Sequence, residues 1–225
     1  MTDSAAPVLA AELIRWEWVG RHLDDIRDAL VQHVELTGLA LLFGLLLAFP
    51  LALSAVQWPR LYGPILGVTG VLFTIPSLAL FILLIPFTGL SIRTALIGLT
   101  MYTLLILVRN MVEGLRGVDR DVREAAQAMG YSATRQLFQV ELPLALPVIM
   151  AGVRIATVTT IGLVTITALI GWGGLGRLFL DGFTLNFTTP IVVGIVLSAL
   201  LAFAADLLLV GLQYRLTPWA RSGGR

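Results

Sequence analysis

Residues 112–143 read VEGLRGVDRDVREAAQAMGYSATRQLFQVELP and form the only long polar segment between apolar stretches of the chain. Asp119 is placed to cap a helix over 122–129, because a short carboxylate there accepts from an otherwise unpaired amide of the first turn. Gly130 follows, and glycine ends helices by taking the left-handed conformation that other residues avoid. Ser132 can cap a second short helix through Val140, and Pro143 follows before the next apolar run. The spacing therefore predicts two short helices joined at a glycine and lying against a membrane. Such an element is either a solvated connector or a docking lever. A lever would seat a short rigid helix in a groove of a soluble partner and pass that partner's movement to the attached spans. Spacing alone leaves both readings open.

The surrounding composition requires the membrane. The chain has 225 residues, of which 57% are hydrophobic and 13% charged, with a mean hydropathy of +0.91. Soluble domains carry about 25% charged residues. An ordinary soluble enzyme, a disordered protein and a nucleic-acid binder are excluded, and an integral membrane protein remains. The formal net charge is +1, there is no cysteine, and the two histidines are His22 and His33. No disulfide framework, thiolate metal site or histidine metal cluster is expected. All fifteen basic residues are arginine. Without lysine the chain cannot carry a P-loop, so it is no ATPase by itself.

Uncharged runs long enough to cross a bilayer locate the spans. They fall at 36–56, 64–86, 92–111, 145–170 and 190–213, five in all, and a sixth is possible if residues 8–33 enter the bilayer. In 8–33, Leu9, Leu13, Trp16, Val19, Leu23, Ile26 and Leu30 recur at helical spacing, with Asp24, Asp25, Arg27 and Asp28 largely off that stripe. This predicts an amphipathic helix, either lying on the membrane or packed on the edge of the first span. The opening MTDSAAPVLA lacks a basic region and a short apolar block, so it does not read as a signal peptide. The loop and its edges hold Arg109, Arg116, Arg120, Arg123 and Arg135, and the tail holds Arg215, Arg221 and Arg225. Arginine-rich loops stay inside, so the loop and tail are expected in the cytoplasm and the N-terminus outside.

The loop also carries a resemblance. Glu124-Ala125-Ala126, three residues, Gly130, nine residues, Val140, one residue and Leu142-Pro143 resemble the EAA loop of ABC importer permeases, with valine in place of the usual isoleucine. Ile75-Pro76-Ser77-Leu78-Ala79, Arg109-Asn110, the run 141–147 and Gly171-Trp172-Gly173-Gly174-Leu175-Gly176 resemble the osmoprotectant (glycine betaine, carnitine, choline) branch of that family. The resemblance covers roughly residues 30–217 and implies an all-α type I ABC importer permease, a multi-pass protein of the bacterial plasma membrane. Its parts would be an N-terminal amphipathic segment (1–33), a transmembrane domain (34–214) with the coupling loop 112–143, and a cytoplasmic tail (215–225). The resemblance assigns coupling to Glu124, Ala125, Ala126, Gly130, Val140, Leu142 and Pro143. The implied partners are an ABC ATP-binding subunit, a second permease subunit (identical or paralogous), an extracellular or periplasmic substrate-binding protein and the lipid bilayer. ATP and Mg would be bound by the partner subunit and no cofactor by this chain.

Several residues inside the spans ask for a role. Pro76 frees a backbone carbonyl, which Ser77 can help satisfy, and broken helices often line substrate sites. A kink that merely fits the bundle is the alternative. Tyr102 could offer a ring face to a quaternary ammonium, and Thr157, Thr159, Thr160, Thr165 and Thr167 could join helices or line a wet path. Pro76, Ser77, Tyr102 and Thr165 are thus candidates for the translocation path. Arg154 and Asp206 lie at similar depth on consecutive spans and are expected to pair, with Arg154 facing the path or snorkelling toward the cytoplasmic side as the alternative. The glycine-rich stretch 171–176 lacks the Lys-Ser/Thr of a phosphate loop and is read as a tight or flexible connector at the outer end.

Five spans are too few to enclose a solute path comfortably, so two permease subunits working by alternating access are expected. The cargo would be a small osmoprotectant. A same-fold importer of an amino acid or ergothioneine, an ATP-independent secondary transporter or channel, and a structural or signalling membrane subunit are the rival readings.

Overall fold

The computed structural model describes residues 14–221, and among these the regular elements are all helical. A short helix α1 (Trp16–Arg21) leads into α2 (Leu23–Gln57), followed by α3 (Pro59–Thr74), α4 (Ser77–Thr88) and α5 (Ile92–Arg116). The polar loop contains α6 (Arg120–Ala128) and α7 (Ala133–Gln136), which runs on into α8 (Leu142–Ile166). Then come α9 (Gly176–Thr184) and α10 (Thr188–Leu216). Four helical segments are long and apolar enough to cross a bilayer, and the α3–α4 pair, bent by 98°, makes a fifth if it counts as one span.

α5 is the central helix and packs on α2, α3, α4 and α8. Helices in lipid gain little from hydrophobic burial and associate through close packing of small residues. α2 supplies such a stripe. Leu36, Ala40, Gly44, Ala48 and Ala52 recur every fourth residue and all are buried. A methyl group added at Gly44 would lie 2.1 Å from Thr103 Oγ1 on α5. α8 approaches α5 in the same way. A methyl group on Gly152 would lie 2.4 Å from Asn110 Cβ, and one on Gly114 would lie 3.0 Å from the Ala145 carbonyl. These contacts close an apolar core at the loop end around Leu107, Val108, Val112, Leu115 and Ile149. A second core around Leu36, Phe81, Leu99 and Val164 fills the opposite, glycine-rich end.

The N-terminal segment differs from the sequence expectation. It is not one helix. The chain breaks at His22, and residues 23–33 are the first turns of α2 rather than a separate surface element. At ~1.5 Å per residue α2 is about 52 Å long, so it extends beyond the ~30 Å hydrocarbon layer. Trp18, Ile26 and Leu30 turn inward onto the small cluster of Ala29, Leu175 and Leu178, against which Val193 and Leu197 of α10 also pack. Trp16 and Leu23, on the expected apolar stripe, face outward from the bundle. Residues 8–13 lie outside the described part. The sequence also gave no sign of α9, a helix between the last two spans.

The second short helix of the loop is likewise not separate. Ser132 does cap it, accepting from the Arg135 amide at 3.4 Å. It then continues through a wide π turn at Leu137–Glu141 into α8, with Pro143 in the first turn of that helix. The wide turn resets the hydrogen-bond register just before the residue that has no amide to give. Val140, Leu142 and Pro143 therefore sit inside one continuous rod over Ala133–Ile170.

Gly44 and Gly38 make a matched test of the packing argument, since a methyl group at Gly38 meets nothing within 4 Å. Gly44→Ala is expected to cost about 1–3 kcal/mol through overpacking. Gly38→Ala is expected to leave stability unchanged or slightly raised. Thermal unfolding of the two purified variants in the same detergent distinguishes them.

Candidate functional site

The loop helix α6 is defined at both ends. The Asp119 carboxylate accepts from the Asp121 amide at 2.9 Å. At the other end the Gly130 amide donates to Gln127 O at 2.9 Å and the Tyr131 amide to Ala126 O at 3.1 Å, with Gly130 at φ +81°. That pair of bonds around a left-handed glycine is the Schellman closure, so Gly130 is required by geometry. Ala126 faces inward, whereas Glu124, Ala125, Ala128 and Met129 face outward. Met129 is 69% exposed, which is unusual for a methionine and suits a surface that adapts to a partner. Glu124 pairs only with Arg120, at 2.6 Å on the exposed face.

Arg123 braces the loop against the bundle. Its guanidinium donates to the Leu115 carbonyl at the end of α5 and lies 3.8 Å from Glu141. Glu141 accepts in turn from Gln136 at 2.8 Å. Arg116 donates to the Ala55 carbonyl of α2 at 3.0 Å and stacks over Tyr62. The loop is thus tied to α2 and α5 by arginines on backbone carbonyls, to α3 by the stack on Tyr62, and to the root of α8 by the Glu141 carboxylate. Arg123 and Arg116 carry this role, which the sequence suggested only as orientation signals.

The path candidates do not form one group. Pro76 sits at the bend between α3 and α4, and Ser77 opens α4. The carbonyl of Ile75 at that bend is taken by the Tyr102 hydroxyl, not by Ser77, which makes no side-chain hydrogen bond among the described residues. Tyr102 is buried, with the Phe73 ring edge-on at 5.8 Å. It is therefore a cap for the broken helix rather than an open aromatic face. Thr165 lies apart, donating to its own Gly162 carbonyl at 2.7 Å. Thr157 and Thr160 also bond back to their own helix at 2.7 Å, whereas Thr167 lies within reach of both the Val164 carbonyl at 2.7 Å and the Trp172 carbonyl of the elbow at 2.6 Å.

The glycine-rich stretch is a packed elbow. Gly171 has φ +88° and Gly174 φ +50°. A methyl group on Gly174 would lie 2.6 Å from His33 Cβ and 2.8 Å from its backbone, and one on Gly176 would lie 2.2 Å from the Thr165 carbonyl. The amides turned out here are collected by α2. Gln32 Oε1 accepts from the Gly174 amide at 2.9 Å, and His33 Nδ1 accepts from the Leu175 amide at 3.3 Å. His33 Nε2 donates to the Ile161 carbonyl of α8 at 3.0 Å. A backbone amide can only donate and a carbonyl only accept, so these two bonds fix a neutral, Nε2-protonated ring. His33, fully buried, thereby staples α2, α8 and the elbow. Sequence reading singled out the glycines but not their histidine partner.

Arg154 and Asp206 are joined edge to edge. Nε donates to Oδ1 at 2.7 Å and Nη2 to Oδ2 at 2.8 Å, binding α8 to α10. Arg154 lies twelve residues beyond Leu142 and Asp206 ten residues before Leu216. At ~1.5 Å per residue these are depths of about 18 and 15 Å, near the bilayer midplane. The pair also borders an open cavity lined by α8 and α10 residues.

Comparison with known proteins places this geometry in a group. A family model described as "binding-protein-dependent transport system inner membrane component" matches residues 40–218. The choline transport system permease protein OpuBB of Bacillus subtilis is 35% identical over 83% of this chain and 86% of its own length. The osmoprotectant import permease protein OsmW of Salmonella typhimurium is 38% identical over 83% of this chain and 89% of its own. Among solved structures, an inward-facing form of the MetNI methionine ABC transporter matches with a TM-score of 0.77 at 22% identity, covering 85% of this chain and 95% of that one.

Removing the staple tests the elbow. His33→Phe fills the space but leaves the Leu175 amide buried without an acceptor, at an expected cost of about 1–3 kcal/mol. Gly174→Ala adds a methyl group where there is no room and strains a left-handed residue, and it should lower the melting temperature at least as much. Thermal unfolding together with hydrogen exchange at the Leu175 amide reports both.

Proposed function

This chain belongs to the binding-protein-dependent transport system inner membrane components, multi-pass permeases of bacterial membranes, and from that premise we propose that it moves a small osmoprotectant of the betaine, carnitine or choline type. The single observation that carries the reading beyond the family is α6. It is a short helix capped at both ends, closed by a left-handed Gly130, braced by Arg123 and offering Ala125, Ala128 and Met129 outward. Such a rigid, partly apolar projection at one end of a membrane bundle suits a groove on a soluble protein. The relatives named for choline and osmoprotectant transport supply the cargo class.

In this reading α6 docks into an ATP-binding subunit on the cytoplasmic side, and a second permease subunit covers the open faces of α2 and α10. A substrate-binding protein presents cargo at the glycine-rich end. ATP and its magnesium ion belong to the ATP-binding subunit, which does the hydrolysis. The coupling residues are Glu124, Ala125, Ala126, Gly130, Val140, Leu142 and Pro143. The first three lie on α6 and Gly130 ends it, whereas the last three lie at the root of the α8 rod. Displacement of α6 passes through the Arg123–Glu141 contact into that rod and along it to the elbow at 171–176. Alternating access then follows from rocking one stiff helix against the α2–α5 core.

The test is reconstitution of the chain with its ATP-binding subunit and binding protein in proteoliposomes. Gly130→Pro cannot take the positive φ that closes α6. Betaine uptake is expected to fall about tenfold or more while the complex still hydrolyses ATP. Uptake equal to the unaltered complex would remove α6 from the coupling role. A cargo panel scored by stimulated ATP hydrolysis checks the osmoprotectant assignment separately.

A further inference from the structure

A guanidinium has two edges, each with a pair of parallel donors. In Arg154 the Nε–Nη2 edge holds Asp206, and the Nη1–Nη2 edge makes no hydrogen bond among the described residues. The pair is not sealed. The Arg154 and Asp206 side chains are 33% and 31% exposed. With Ala151, Ile155, Val158 and Thr159 they line an open cavity of about 410 Å³. This cavity lies about halfway across the bilayer, where acyl chains cannot satisfy an open donor edge. Ionisable groups placed there face water or a polar solute.

We propose that this cavity is a transit site for a zwitterion that carries a carboxylate and a quaternary ammonium group. The carboxylate takes the free Nη1–Nη2 edge of Arg154. The ammonium rests against the outward lone pairs of Asp206, and its methyl groups rest on Ile155 and Val158. The Arg154–Asp206 bond need not break for this to happen, because cargo uses the second edge of one partner and the unused lone pairs of the other. Site and cargo are each neutral overall, so loading the cavity buries no net charge. The apolar wall suits a methylated cation, which has no donors to satisfy, and the fork suits a planar carboxylate. The inference rests on the osmoprotectant reading above and deepens it by giving cargo a place within this chain.

The fork separates cargo classes, because choline has the ammonium but no carboxylate. The reconstituted complex of permease, ATP-binding subunit and binding protein is assayed for uptake of glycine betaine and of choline. Arg154→Lys keeps a cation opposite Asp206 but has no second edge. The ratio of glycine betaine to choline uptake is expected to fall about tenfold. An unchanged ratio, or an equal loss of both, overturns the transit site. If the lysine variant does not assemble, Thr159→Leu carries the test, because it narrows the cavity and leaves the pair in place. Glycine betaine uptake should then drop several-fold, and full uptake overturns the proposal. Failure of the unaltered complex to import either solute removes the osmoprotectant reading and this inference with it. Normal import with an unmoved ratio removes the transit site alone.

Discussion

Close approach of three helices without hydrophobic drive is the constraint on which the rest of the structure depends. In lipid, α2 and α8 reach α5 only where side chains are small, and the contacts at Gly44, Gly114 and Gly152 leave no space for a methyl group. That spacing sets the position of everything attached to the three helices. α5 ends at Arg116 beside α2, which brings Arg123 within reach of the Leu115 carbonyl. α8 lies close enough to α2 for His33 to touch Ile161. Widening the core would therefore unfasten the loop at one end and the elbow at the other.

A second theme is the fate of backbone groups where helices stop. A span cannot leave amides or carbonyls unpaired in an apolar environment. At the bend before α4, Tyr102 takes the Ile75 carbonyl. At the elbow, Gln32 and His33 take the Gly174 and Leu175 amides. At the loop, Arg116 and Arg123 take the Ala55 and Leu115 carbonyls. Each break is thus repaired by a side chain from another helix, which converts a local weakness into a tertiary link. The same residues make the breaks specific, since none of these bonds survives a slide of one helix along its neighbour.

The long rod over Ala133–Ile170 joins these features mechanically. Its root meets α6 where Glu141 faces Arg123, its middle carries Arg154, and its far end turns into the glycine elbow. The π turn at Leu137–Glu141 changes its register but does not break it, so the segment remains one helical body. The loop, the charged pair and the elbow therefore lie on one stiff element rather than on three independent ones, and α6 is fixed to that element by Arg123.

Much of this was legible in the chain itself. Uncharged runs located four of the spans, because desolvating charge in lipid is prohibitive, whereas the run at 64–86 is divided between two helices bent by 98°. Asp119, Gly130 and Ser132 marked the loop's caps, because those residues answer local backbone needs. Arg154 and Asp206 announced each other through equal depth. What sequence could not supply depended on which distant groups meet. Residues 23–33 form the first turns of α2, where Ile26 and Leu30 find Leu175 and Leu178 at the start of α9 to pack on. The π turn before Pro143 makes a separate helix unnecessary. Tyr102 and His33 look like ordinary span residues until the fold brings an orphan carbonyl or amide to them. Local chemistry and hydropathy determined the spans, the loop and its caps. Only the tertiary structure decided which side chain satisfies each break, because that choice depends on contacts between residues far apart in the chain.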